Sequence, residues 1–80
     1  MVRLKNIEKN DTAVWCDIYP ENSKEPGFLK VLFSRPDKIE TFSLPRGYED
    51  DISHVNHARD ALSKMIEKNE FKKERLVMWY

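Results

Sequence analysis

The sequence predicts an α+β domain: an antiparallel sheet of about five strands, in the order ββββαβ, with one helix packed on one face. Three observations carry this. Apolar residues alternate with polar ones over short runs in the first half of the chain, which is the two-residue period of a half-buried strand. Turn-forming residues separate these runs, as at Lys9-Asn10-Asp11-Thr12, Pro26-Gly27 and Arg35-Pro36-Asp37-Lys38. The period then changes to that of a helix between residues 51 and 69, where Ile52, Val55, Ala58, Leu62, Met65 and Ile66 form one apolar stripe.

The first strand spans residues 2–8. Val2 and Leu4 alternate with Arg3 and Lys5, but Ile7 breaks the phase, so one extra residue near Asn6 is expected to bulge out of the ladder. Residues 13–19 are the clearest strand, with Val14, Cys16 and Ile18 on one face and Ala13, Trp15, Asp17 and Tyr19 on the other. A short connection makes these two a hairpin. A polar loop follows and ends in Pro26-Gly27, a pair suited to a type II turn. The third strand runs from 28 to 34, with Leu29, Val31 and Phe33 on one face, and a fourth runs from 39 to 44. Glu49, Asp50 and Asp51 lead into the helix, where Asp50 or Asp51 is placed to cap it and all three carboxylates suit its positive end. Lys64 and Lys68 match the negative end.

The chain finishes Leu76-Val77-Met78-Trp79-Tyr80. Terminal residues are usually polar and frayed unless something holds them. A last strand over residues 75–80 meets that condition. Both of its faces are apolar, as in a central strand buried on two sides or a strand whose second face meets another chain.

Composition sets limits. Eighty residues make a single domain, residues 1–80, with one small core. A hydrophobic fraction of 40% supports folding despite 35% charged residues. Acidic and basic residues balance at 14 each, which argues against a dedicated nucleic-acid binder. One cysteine allows no internal disulfide and fits a reducing, cytoplasmic setting. There is no apolar run long enough to span a membrane and no signal-peptide core. No glycine-rich phosphate loop is present, and no cofactor is implied.

Few residues suggest chemistry. His54 and His57, three apart on the helix, could join Cys16 in a metal site or a thiol-dependent enzyme. Zinc sites normally show paired ligands at characteristic spacings, and only this one pair exists. Two surface histidines and a buried structural thiol are the simpler reading. The basic residues Lys64, Lys68, Lys72, Lys73 and Arg75, with Phe71 among them, could touch nucleic acid weakly. Glu67, Glu70 and Glu74 are interleaved and reduce that field.

The second sheet face is the best candidate. If the helix covers Val14, Cys16 and Ile18, then Trp15 and Tyr19 look the other way, and the last strand adds Trp79 or Tyr80. Exposed aromatics there would mark a contact surface for a protein partner or a homodimer, unless loops or curling of the sheet bury them. Trp15, Tyr19, Trp79 and Tyr80 are the expected binding residues, with Arg46 and Tyr48 in the loop before the helix as further candidates.

The segments Cys16-Asp17-Ile18-Tyr19-Pro20-Glu21, Leu44-Pro45-Arg46-Gly47-Tyr48-Glu49-Asp50, His57-Ala58 with Ala61-Leu62, and Met78-Trp79-Tyr80 resemble a group of small uncharacterised bacterial proteins with no assigned function. The resemblance spans nearly the whole chain. It implies a bacterial cytosolic setting and a compact α+β domain, and it assigns no site residue.

Overall fold

The computed structural model describes residues 1–79. It contains five strands, β1 (Val2–Lys9), β2 (Ala13–Pro20), β3 (Gly27–Leu32), β4 (Thr41–Ser43) and β5 (Arg75–Val77), and a helix, α1 (Ile52–Lys68), between β4 and β5. The strands form one antiparallel sheet in the order β4-β3-β2-β1-β5. The expected α+β architecture is therefore the observed one.

The alternation in β2 decides which face is buried. Val14, Cys16 and Ile18 are no more than 1% exposed and meet Val2, Leu4, Leu29 and Val31 from the flanking strands. Helix α1 lies on this face and contributes Val55, Ala58, Ala61, Leu62 and Met65. Each buried Val, Leu, Ile or Met side chain contributes roughly 1.5–3 kcal/mol when removed from water, and each alanine methyl less than about 1 kcal/mol. The helical stripe is rotated slightly from the sequence expectation. Ile52 is exposed and Ile66 only partly buried, whereas Ala61 and His54 point inward.

The bulge is where the phase break in β1 places it. Pairing with β2 shifts between Lys5 and Glu8, and Asn6 adopts a left-handed φ of 54°. The extra residue turns Ile7 back into the core. Asn tolerates this φ because its short polar side chain bonds locally, and here Nδ2 donates to Asp17 Oδ2 at 2.8 Å. In the following turn, Asn10 Oδ1 accepts from the backbone N–H groups of Thr12 and Ala13, both at 2.8 Å.

Several expectations are corrected. Gly27 is not the left-handed residue of a type II turn; it opens β3, and a Cβ there would collide with the Ser43 carbonyl oxygen. β3 ends at Leu32 and β4 is only three residues long, because residues 34–39 leave the sheet through turns closed by Arg35 N–H to Leu32 O and Lys38 N–H to Arg35 O, while Phe33 N–H still bonds Thr12 O and Glu40 N–H bonds Lys30 O. Asp51 occupies the N-cap position, but its side chain makes no capping hydrogen bond. Asn69, at φ 53°, closes the other end of the helix. The last strand is not central. β5 is a three-residue edge strand paired only with β1, and Leu76 is 51% exposed.

Candidate functional site

Because the sheet has two unpaired edges, β4 and β5, it is open rather than curled into a barrel. With α1 on one side, the opposite face carries no helix or second sheet among the described residues. The register of the ladders places its residues. On β2, Trp15, Asp17 and Tyr19 share this face. Phe28 lies directly across from Asp17 on β3 and Lys5 across from it on β1. Trp15 is paired with Glu8 on one side and Lys30 on the other, and Tyr19 with Arg3. Asp17 is thus ringed by Trp15, Tyr19 and Phe28, all half-buried.

Cations border the aromatics. The Arg3 Cζ lies 5.2 Å from the Tyr19 ring centre, and Lys5 Nζ lies 5.8 Å from it. Both are within the range of a cation–π contact. Arg3 Nη2 also donates to the Ser23 carbonyl at 2.7 Å, which ties the loop after β2 to this corner. At the β5 edge, Leu76 pairs with Arg3 and extends the apolar surface.

The expected residue set divides in two. Trp15 and Tyr19 lie on the uncovered face. Trp79 does not: it packs against the core cluster on the helix side, stacked on His57 with ring centres 4.0 Å apart and planes at 8°. It also meets His54 edge-on at 5.2 Å. Tyr80 lies outside the described residues. Arg46 is exposed and Tyr48 half-buried in a loop of tight turns outside the strand ladders, where Tyr48 N–H donates to Pro45 O and Asp51 N–H to Tyr48 O. In the same loop Glu49 accepts from the Gly47 N–H at 3.0 Å, and bonds from its own and the Gly47 backbone N–H groups hold its carboxyl below the usual range.

The rival constellation does not assemble. Cys16 sits in the sheet interior, and burial pushes its thiol up to about 12, with the Asp17 charge adding to the shift. Such a thiol is a small hydrophobe rather than a nucleophile. Among the described residues no group of three or more His, Cys, Asp or Glu is arranged to hold a metal ion. His54 is nevertheless not a surface histidine. It is 7% exposed, with Nε2 3.4 Å from Glu21 Oε1 and Nδ1 4.0 Å from Asp51 Oδ2. The N-terminal amine reaches the same Glu21 oxygen at 3.2 Å. This corner joins the chain's first residue, the loop after β2, the start of α1 and Trp79 through the amine–Glu21 bond and the His54–Trp79 ring contact, while neither buried His54 ring nitrogen makes a hydrogen bond among the described residues.

Sequence reading missed Phe28 and the cations around the aromatic patch. The alternation of Phe28 and Lys30 against Leu29 and Val31 in β3 was the available signal. No family model, curated protein or solved structure matches this chain. What it does must therefore be read from its own residues.

Proposed function

We propose that this chain is a non-catalytic binding domain whose uncovered sheet face docks a protein, with a second copy of the same chain as the partner its own charges suit. The observation that carries this reading is the ring of Trp15, Tyr19 and Phe28 about Asp17 on a face that no helix covers among the described residues. Aromatic residues at an interface combine large contact area with a polar rim. The rim here carries both signs, with Arg3, Lys5 and Lys30 against Asp17 and Glu8. Two-fold symmetry brings each patch against itself, and a patch of mixed sign can satisfy its own charges across such an axis.

The size is adequate. Five strands at ~4.8 Å spacing and strands of up to eight residues give a flat area of about 500 Å². Side-chain relief raises this toward the roughly 800 Å² per partner of an ordinary interface. A bacterial cytosolic setting agrees with the unpaired, buried thiol and with the resemblance noted above.

Trp15 provides the direct test. The Trp79→Phe variant leaves Trp15 as the single indole. Its emission should shift to the blue with rising protein concentration, in step with the solution mass, and Phe28→Ser should abolish both changes while the circular dichroism spectrum stays folded. An emission maximum independent of concentration and of the Phe28 substitution contradicts the reading.

A further inference from the structure

We infer that the β5 edge of the sheet and the adjoining C-terminal end of α1 bind the phosphate backbone of a single-stranded nucleic acid. Two clefts meet there. The first, of about 160 Å³, includes Ala61 and Met65 in its lining, and its charged walls are Lys64, Lys68, Lys72, Arg75 and the acid Glu70. The second, of about 260 Å³, is lined by Arg3, Leu4, Lys5, Glu74, Arg75 and Leu76. Arg75 belongs to both, so the track is continuous across the edge strand.

Together the two clefts hold six cations and two acids. The whole chain carries 14 of each, so the remainder has eight cations and twelve acids. A chain of zero net charge has thus gathered a local excess of four positive charges along one edge. Of the interleaved acids, Glu70 and Glu74 line the clefts and are already counted in this balance, while Glu67 lines neither. Of the six cations, Lys64 alone is in an ion pair among the described residues, with Asp60 at 3.1 Å, and both partners are exposed. Such a pair contributes little and yields readily to a phosphate.

The track favours a single strand over a duplex. It runs from the helix end over the edge onto the second face, where Arg3 and Lys5 flank the Tyr19 ring. A base splayed from a flexible strand can stack there between two phosphate contacts, which a paired base cannot do. Neutralising about four phosphates gives a slope of about −3 in log K against log salt for a single strand. The track shares Arg3, Lys5 and Tyr19 with the proposed docking face, so a strand and a second copy compete for that face, and the titration is run at protein concentrations where the solution mass is that of a monomer.

The test is a fluorescence anisotropy titration of a labelled oligo(U) and oligo(dT) of about 20 nucleotides, between about 50 and 200 mM NaCl. Vesicles containing phosphatidylserine serve as a second anionic surface. Saturable binding with a slope near −3 is expected. Changing Lys68, Lys72 and Arg75 together to Gln should weaken it at least ~10-fold and flatten the slope by about 2. Tyr19→Ala should cost about 5-fold or more at an unchanged slope, consistent with loss of one stacked base. All three cations are exposed; should the triple variant fail to fold, Lys72→Gln alone, outside every helix and strand, carries the test. No saturable oligonucleotide binding at the lowest salt, binding unchanged in the cation variants, or binding to vesicles alone would each overturn the inference.

Discussion

Replacing Trp79 by Ala separates a residue that holds the fold from one that waits for a partner. The indole is half-buried, packed against the core cluster and stacked on His57. Truncation to Ala exposes roughly 150 Å² of apolar contact, or about 4 kcal/mol at ~25 cal/mol per Å². Residual compactness of the unfolded chain lowers this by ~10–40%, and the lost ring stack restores about 0.5–1 kcal/mol. The expected loss is about 3 kcal/mol. For a domain of this size that is a fall in Tm of about 15 °C, a large part of a total stability of roughly 4–12 kcal/mol. Thermal and urea unfolding followed by far-ultraviolet circular dichroism measure it. His57→Ala should cost only about 1 kcal/mol, and a double-mutant cycle should show the two coupled. A Trp79→Ala protein with a Tm within about 2 °C of the parent would refute this reasoning, since a loss that small leaves no room for the buried contact.

Three further outcomes follow from the same geometry. The Cys16 thiol, held up to about 12 against 9.0 for an ordinary cysteine, keeps its proton in the folded chain while the unfolded chain ionises. Stability should therefore fall as pH rises from about 9 toward 12, by roughly 1 kcal/mol per unit. That part of the slope should vanish in Cys16→Ala, and fast labelling of the native thiol by Ellman's reagent at neutral pH would contradict its burial. Gly27→Ala should destabilise by about 2 kcal/mol or more, because the added methyl meets the Ser43 backbone oxygen and not a movable side chain; an unchanged urea midpoint would show that β4 yields. Asn10→Ala removes the side-chain acceptor of two backbone N–H groups in the β1–β2 turn and should cost about 1–2 kcal/mol, with Asn10→Asp recovering most of it.

The hairpin of β1 and β2, its bulge and the amphipathic helix were legible because each leaves a local periodic mark. A single misplaced apolar residue, Ile7, was enough to locate the bulge at Asn6. The position of β5 was not legible. Apolar residues on both faces fit a central strand, and also fit an edge strand that packs Val77 and Trp79 on the helix side and leaves Leu76 exposed. Periodicity reports which face a residue occupies, not which strand lies beside it. Half of the candidate site was visible for the same reason. Trp15 and Tyr19 follow from the alternation of β2, whereas Trp79 lies beyond the end of β5 and answers to its contacts with His54 and His57. His54 was misjudged because a polar residue beside the apolar stripe reads as surface, and its burial depends on Glu21 and Trp79, which are distant in sequence. The charge excess along β5 was hidden likewise, since it joins residues from both ends of the chain.

The central claim, that the aromatic sheet face is a contact surface for a second copy, is tested most directly by the solution mass of the untagged chain, measured by size exclusion with light scattering over a concentration series. A concentration-dependent dimer is expected, reduced to a monomer by Trp15→Ala with the folded spectrum intact. A monomer at every concentration, or a dimer indifferent to Trp15, would contradict it.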